Sequence, residues 1–417
     1  MTSRLRIGMF TTFYPPFNFG GDGIDVQRTA TALVRRGHQV TVVHDVNAYQ
    51  WLAGRTWPEQ PTMQDGVEVI ALRSRAGVLA PLLVHQTGLP LVHGRRLEAI
   101  ARERAFDVVM YHNVSLVGGP GLLGVGGSAL KIYVAHEHWL VCPTHVLWRN
   151  NEEPCDEQAC TRCVLAYGRP PQLWRYTGQL RRRLDRVDTF IARSAFSRDR
   201  HTRFGFPKPM QVLSYFLPDE QDAAPASAEP SPHPRPYFLF VGRLTRIKGL
   251  HTVLPRMAHY PDADLLIIGD GEDDQMLRRM AAGIPNVHFL GRMPNSALAR
   301  YYRHAVAALC PTVGYETFGI VLIEAMRARV PVVARRIGPF TEIVEQSGGG
   351  LLYERDDELL PCLARLQQDA ALRTSLADAG YRATLEHWSE PVVMDALERI
   401  IDEGLAAKRA PRGARTP

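Results

Sequence analysis

Gly314-Tyr-Glu-Thr-Phe-Gly-Ile-Val-Leu-Ile-Glu-Ala-Met326 follows a short apolar run at 306–310. A buried strand, a glycine-bracketed loop and a helix opening at about Phe318 is what this order predicts, the βα step of a parallel sheet. The loop carries one carboxylate, Glu316, and the helix a second, Glu324, about two turns further in. At ~1.5 Å per residue their separation spans on the order of 12 Å, roughly the reach from a hexose to a ribose across a diphosphate. Between them the free N–H groups of Phe318, Gly319, Ile320 and Val321 would face outward at a helix N-terminus, a ready anion site. A phosphate held there, with a carboxylate on either side for hydroxyl groups, is a layout that suits a nucleotide-sugar.

Outward from this stretch, strand and helix alternate along the chain. In the second half, 237–241, 264–268, 287–290 and 330–334 read as further strands, with Gly242, Gly269, Gly271 and Gly291 at the turns. In the first half, 5–11, 39–44, 67–72, 108–111, 131–135 and 189–192 read the same way, with helices such as 95–104 between them. Such alternation argues α/β architecture with parallel sheets covered on both faces. Residues 219–236, dense in Ala, Pro, Ser and acid, read as a linker. The chain therefore divides into an N-terminal Rossmann-like unit at 1–217, a C-terminal one at 218–388, and a terminal helix at 389–417 whose basic end frays. Two doubly wound domains would face each other across a cleft at the carboxyl ends of their strands. Gly119-Pro-Gly-Leu-Leu-Gly124 fits a dinucleotide pattern only formally, because Pro fills its turn, and it reads as a loop. Asp262 and Asp264 read as turn chemistry before a strand.

Composition narrows the class. The 417 residues, 45% of them hydrophobic, suffice for two cores, since single cores rarely grow beyond ~250–300 residues. The apolar run 7–10 is too short for a signal peptide, and no stretch reaches the ~18 apolar residues of a membrane span. The expected location is cytoplasmic. The net charge of +6 arises from cations scattered through helices, without interleaved aromatics. That pattern argues against nucleic acid and leaves a basic surface able to touch anionic lipid.

Lys131, Lys208, Lys248 and Lys408 are the only lysines among 49 basic residues. Lys248 lies in Gly242-Arg-Leu-Thr-Arg-Ile-Lys-Gly249, where a compact ammonium suits phosphate. To this are added Ile268-Gly-Asp-Gly-Glu272, residues 287–292, Glu316-Thr-Phe-Gly, Glu324-Ala-Met, and Pro331-Val-Val-Ala334 followed by Gly338 and Glu342. On these motifs the chain resembles the family 4 retaining glycosyltransferases (glycosyl transferases group 1) of the GT-B fold. The resemblance runs nearly the whole length and is strongest over 237–353.

The resemblance implies a fold of two Rossmann-like domains with a C-terminal helix returning to the first. It implies a UDP- or GDP-sugar donor, Arg243 and Lys248 on the diphosphate, and Glu316 on the transferred sugar. Thr317, Phe318, Gly319, Ile320 and Val321 would help from the backbone, Glu324 would take the ribose, and Gly269, Gly271 and Arg292 would lie near the base. In the N-terminal half it implies donor contact by Gly20 and Gly21 and a catalytic-site His136, with His112 a secondary candidate. Retention and independence of an essential metal are inherited from the family. Two rivals are a UDP-sugar epimerase of the same fold and a non-catalytic nucleotide-sugar binder.

Two segments stand outside the general pattern. Residues 76–92 are apolar but broken by Pro and Gly, and Arg95 and Arg96 follow. They read either as a buried loop or as a dock for a lipid-linked or hydrophobic acceptor at an anionic membrane. Cys142, Cys155, Cys160 and Cys163 fall in a polar segment, 138–176, of little periodicity. A segment so poor in apolar residues should need a staple. Structural zinc on four thiolates, an iron–sulfur cluster, two disulfides and free thiols are the alternatives.

Overall fold

The computed structural model describes residues 4–54, 61–218 and 230–410. Most of the expected linker, 219–229, lies outside the described residues, as does 411–417 of the terminal segment.

The runs of Val, Ile, Leu and aromatic residues form two sheets. The first has the strand order Gln211–Val212, Thr189–Ala192, Leu130–Ala135, Val108–Tyr111, Arg6–Phe10, Gln39–Asp45, Val67–Leu72 and Met63–Gln64. Only its last pair is antiparallel. The second has the order Val287–Gly291, Asp264–Ile268, Tyr237–Val241, Ala307–Cys310, Val332–Arg335 and Gly350–Tyr353, all parallel. Strands such as Leu130–Ala135 and Asp264–Ile268 are buried along their whole length, because helices cover both faces. This is the expected α/β, doubly wound arrangement.

In each sheet the order reverses beside the first strand of the unit. The reversal lies between Arg6–Phe10 and Val108–Tyr111 in one, and between Tyr237–Val241 and Ala307–Cys310 in the other. Loops leaving two such strands diverge to opposite faces and open a crevice at their carboxyl ends. The segments carrying Lys248 and Glu316 leave one such pair. The glycine loop before residue 21 and His112 follow the other.

The helix Glu390–Arg409 returns to the first sheet. Val393, Met394, Leu397, Ile400 and Ile401 share one core with Ile7, Val26, Leu33 and Leu130. Ion pairs Arg35–Glu390 at 2.6 Å, Arg36–Glu398 at 2.8 Å and Lys408–Asp188 at 2.7 Å line its flanks. The helix continues through Arg409, so residues 406–409, expected to fray, stay helical, and Lys408 Nζ donates to Ala129 O and to Asp188, each at 2.7 Å.

Three further readings are corrected. The 76–92 segment is neither a loop nor buried throughout: it contains the helix Leu79–Thr87, whose Pro81 sits in the first turn, where no intrahelical N–H is lost. Gly119–Leu122 is a short helical turn rather than a loop. The helix after Glu316 begins at Ile320, two residues later than expected, because Gly319 adopts φ 118° and breaks the run at its N-cap.

Candidate active site

At the second crevice Lys248 ends a single 3₁₀ turn, Arg246–Lys248, and its Nζ donates to Oε1 of Glu316 at 2.6 Å. The expected phosphate cation and sugar carboxylate are thus brought together. Their loops are locked by close backbone approach. Gly249, at φ 77°, packs so that a Cβ would fall 2.0 Å from the carbonyl oxygen of Pro311. Gly269, at φ 146°, would place one 1.9 Å from the carbonyl oxygen of Gly242. No side chain fits either position. Gly271 presses on Leu244 in the same way.

The helix Ile320–Arg327 starts beside this pair. Leu322 N already bonds Gly319 O at 3.0 Å, so the free outward N–H groups are those of Ile320 and Val321. The Phe318 side chain is buried, 3% exposed, against Tyr215 and Trp388. Glu324 sits just over one turn into the helix. Burial raises its carboxyl above the ordinary range, and Arg28 opposes that shift. Arg28 belongs to the helix Gly21–Arg35 of the other domain, and its Nη1 is buried without a hydrogen-bond partner. Arg243 and Arg292 are exposed.

On the N-terminal side Gly20 caps the helix Gly21–Arg35, and a Cβ on Gly21 would meet nothing within 4 Å. That glycine pair fronts open space, where a ligand can approach the backbone. His136 is different. Its ring is 1% exposed and both nitrogens are occupied: Nδ1 lies 3.0 Å from the Tyr215 hydroxyl and Nε2 lies 2.8 Å from Nδ1 of His112. Asp25 and Arg193 form a buried ion pair beside it, and the Arg193 guanidinium stacks 4.4 Å over the Tyr215 ring. Burial first, then Arg193, hold His112 down at about 3 and keep His136 well below the usual imidazole range. Both rings are therefore neutral.

The two sides meet directly. The Thr317 hydroxyl donates to the backbone oxygen of His136 at 3.0 Å, and the Ser194 hydroxyl donates to the backbone oxygen of Thr317 at 2.7 Å. The Glu342 carboxylate accepts from the backbone N–H groups of Ala195 and Phe196 at 3.1 and 3.0 Å. It caps a helix of the opposite domain, Ala195–Arg203. In the sequence Glu342 stands within a motif without a role of its own, and Arg28, Asp25, Arg193 and Tyr215 escape sequence reading. The one available signal was Asp25 and Arg28, three apart on a helix face just after the glycine pair.

All four clustered cysteines are free. Cys142 and Cys155 flank a hairpin, Trp148–Arg149 with Glu153–Pro154, and Cys160 and Cys163 lie in the helix Cys160–Ala166, so the segment has more regular structure than its composition suggests. Burial first, then the neighbouring thiols, push Cys155 up to about 11. Among the described residues, however, only His233, Asp264 and His288 gather three ligand atoms within 4.8 Å. A tetrathiolate zinc site, with ~2.3 Å bonds, needs all its sulfurs about 3.8 Å apart, whereas no three of these four all lie within 4.8 Å of one another. Asp264 itself is no simple turn residue: it is buried, accepts from His288 at 3.1 Å, pairs with His233 and Arg235, and lies at the strand end remote from the crevice.

Comparison with known proteins agrees with this geometry. The family model for Glycosyltransferase Family 4 matches residues 19–221, and that for Glycosyl transferases group 1 matches 225–383. A phosphatidyl-myo-inositol mannosyltransferase of Mycobacterium leprae is 31% identical over 172 residues, 39% of this chain and 46% of that relative. The matched stretch thus spans about half of it. A GDP-mannose-dependent alpha-mannosyltransferase of Mycolicibacterium smegmatis is 28% identical over 399 residues, 94% of this chain and 96% of the relative. The sucrose-phosphate synthase of Thermosynechococcus elongatus superposes with a TM-score of 0.70 at 20% identity, over 97% of this chain and 100% of its own. Two facing doubly wound sheets, the Lys248–Glu316 pair at one switch point and both family matches lead to one assignment: the chain belongs to the family 4, group 1 glycosyltransferases of the GT-B fold.

Proposed function

We propose that the protein transfers a sugar, with retention, from a nucleoside-diphosphate sugar to a hydroxyl of a lipid-linked acceptor, without an essential metal ion. The observation that carries this is the Lys248–Glu316 pair beside the free N–H groups of Ile320 and Val321. As the sugar leaves, negative charge grows on the diphosphate. Lys248, Arg243 and the helix end are the cationic elements that take it up, and charge stabilisation of this kind commonly supplies most of the rate enhancement in such catalysis. Glu316, released from Lys248 by the incoming phosphate, binds hydroxyls of the transferred sugar. Glu324 takes the ribose. Retention follows from attack on the same face: the acceptor oxygen bonds the anomeric carbon as the bond to phosphate breaks, and the departing phosphate oxygen takes the hydroxyl proton. His136, neutral and bonded on both nitrogens, shapes the sugar pocket and does not transfer protons in this scheme. Incubation with UDP- and GDP-sugars in the absence of acceptor tests the reading: slow hydrolysis supports a transferase, and epimer formation supports the isomerase.

The lipid acceptor rests on the helix Leu79–Thr87. It follows the carboxyl end of Val67–Leu72, so it lies on the crevice side, and Val78, Leu79, Leu83, Leu91 and Val92 are exposed. Leu173 and Tyr176 extend the apolar surface, anchored by Trp174 Nε1 donating to His85 O at 3.0 Å. Arg73, Arg75, Arg95 and Arg96 are exposed around it. Apolar side chains ringed by arginine match an anionic headgroup layer. No helix among the described residues is long and apolar enough to cross a membrane, so contact would be peripheral. Co-sedimentation with anionic but not neutral vesicles is expected. Normal activity on a soluble acceptor with no vesicle binding overturns it. Zinc in the cysteine segment would require the four sulfurs to draw together. About one zinc per chain by elemental analysis supports it, and four titratable thiols in active protein exclude it.

A further inference from the structure

The cysteine-bearing segment touches the donor loop around Gly314 and Tyr315. Oδ1 of Asp156, next to Cys155, accepts from the Tyr315 hydroxyl at 3.1 Å and from Nη1 of Arg200 at 2.7 Å. The Arg200 guanidinium lies 4.0 Å over the Tyr315 ring, and the Phe196 ring packs 5.2 Å from it. Cys142, Leu147 and Cys155 form a small apolar cluster on which Tyr315 rests. Trp148 closes over the preceding residue: a Cβ on Gly314 would come within 3.1 Å of its indole. Tyr315 is thus held at its hydroxyl, its face and its edge by elements of the N-terminal domain, and Glu316 is the next residue.

We propose that Asp156 and Tyr315 are positioning residues for Glu316, and that the cysteine-bearing segment acts as a clamp on the donor loop. Two loops leaving a switch point are anchored at their strands and free at their tips. A carboxylate that must meet developing charge needs placement within about half an ångström. Between the strand Ala307–Cys310 and the helix Ile320–Arg327, residues 311–319 carry Tyr315 and Glu316 without regular structure of their own. A charge-assisted hydrogen bond and a guanidinium stacked on the ring are the kind of contacts that fix one rotamer. The same contacts tie the loop to the helix Ala195–Arg203, which Glu342 caps from across the crevice. The clamp therefore engages only when the domains stand as they do here.

The activity arm of the test rests on the transferase reading, and the exchange arm does not. Tyr315→Phe and Asp156→Ala each remove the hydrogen bond between the Tyr315 hydroxyl and Asp156 Oδ1. Each is expected to lower kcat about tenfold while acceptor KM stays within about twofold, and the double variant should be no worse than either single one, as expected of two residues serving one contact. Asp156→Glu should restore part of the loss. Amide hydrogen exchange over 314–321 in protein without donor should speed up in Asp156→Ala, with no change in the sheet strands. Unchanged exchange in that loop overturns the clamp. Additive losses in the double variant, or losses tracking a fall in melting temperature with no rescue by glutamate, overturn it too. A wild-type protein inert toward every nucleotide-sugar, yet showing the exchange difference, would fault the transferase reading and leave the clamp standing.

Discussion

Nζ of Lys248 stands 2.6 Å from Oε1 of Glu316, joining two loops that leave adjacent central strands, Tyr237–Val241 and Ala307–Cys310. The side chains are 30% and 22% exposed, so the pair is open to solvent and contributes little stability by itself. Its value is placement, since it keeps a cation and a carboxylate at the point where the sheet order reverses.

Lys248→Ala and Glu316→Gln are each expected to cut turnover by on the order of a hundredfold or more, the usual effect of losing a transition-state electrostatic partner. Glu324→Gln should act mainly on donor affinity, because a ribose contact is alike in ground and transition states. Single-turnover assays with saturating donor separate the two effects. Near-normal turnover by Glu316→Gln removes it from the catalytic set.

Glu342→Ala removes acceptors from two backbone N–H groups at the start of Ala195–Arg203. Loss of a helix cap costs about 1 kcal/mol, and the cap reaches from the other domain. Urea unfolding should show that loss, and small-angle scattering should show a larger radius of gyration for the variant. Unchanged scattering would mean that the other interdomain bonds suffice to hold the arrangement.

Gly269→Ala introduces a Cβ 1.9 Å from the carbonyl oxygen of Gly242 at φ 146°. The turns after Asp264–Ile268 and Tyr237–Val241 must then separate. Positive φ alone costs an L-residue about 1–2 kcal/mol, so thermal unfolding should drop by several degrees, with donor affinity falling in parallel. Wild-type melting and affinity would show that the two turns can slide apart without cost.

The sheets were legible because strands buried on both faces read as unbroken apolar runs, and the glycines after them mark the turns. The pairing of Lys248 with Glu316 beside the start of the helix Ile320–Arg327 was legible because both stand in glycine-bracketed loops after apolar runs. The helix start was misread because Phe318 looks helical beside Gly319, while the φ of 118° at that glycine is a tertiary choice, with Phe340 packed against it. Pro81 hid the helix Leu79–Thr87 for the same local reason. His136 could be found at a strand end, but its partner Tyr215 lies 79 residues away. Asp156 and Tyr315 are 159 apart. Neither separation leaves a periodic trace.

The His112–His136 pair makes a pH prediction. Their rings share one hydrogen bond, 2.8 Å between Nδ1 of His112 and Nε2 of His136, and both are neutral in the fold. Burial and Arg193 hold His112 at about 3 and His136 well below its usual range, whereas both would titrate near ~6.5 in the unfolded chain. Below that value the unfolded state binds more protons than the native state. Stability from this pair is therefore fully present above about pH 6.5 and is lost as pH falls toward 3. Between pH 7 and 5 each ring accounts for at most about 2 kcal/mol, from ~1.4 kcal/mol per pH unit. Urea unfolding of wild type at pH 7 and pH 5 should show that decline. His112→Gln, which keeps a polar group at the site and removes one titrating ring, should show a shallower one. Equal slopes for the two proteins would mean that His112 is protonated in the native state, and the neutral pair beside Tyr215 would have to be abandoned.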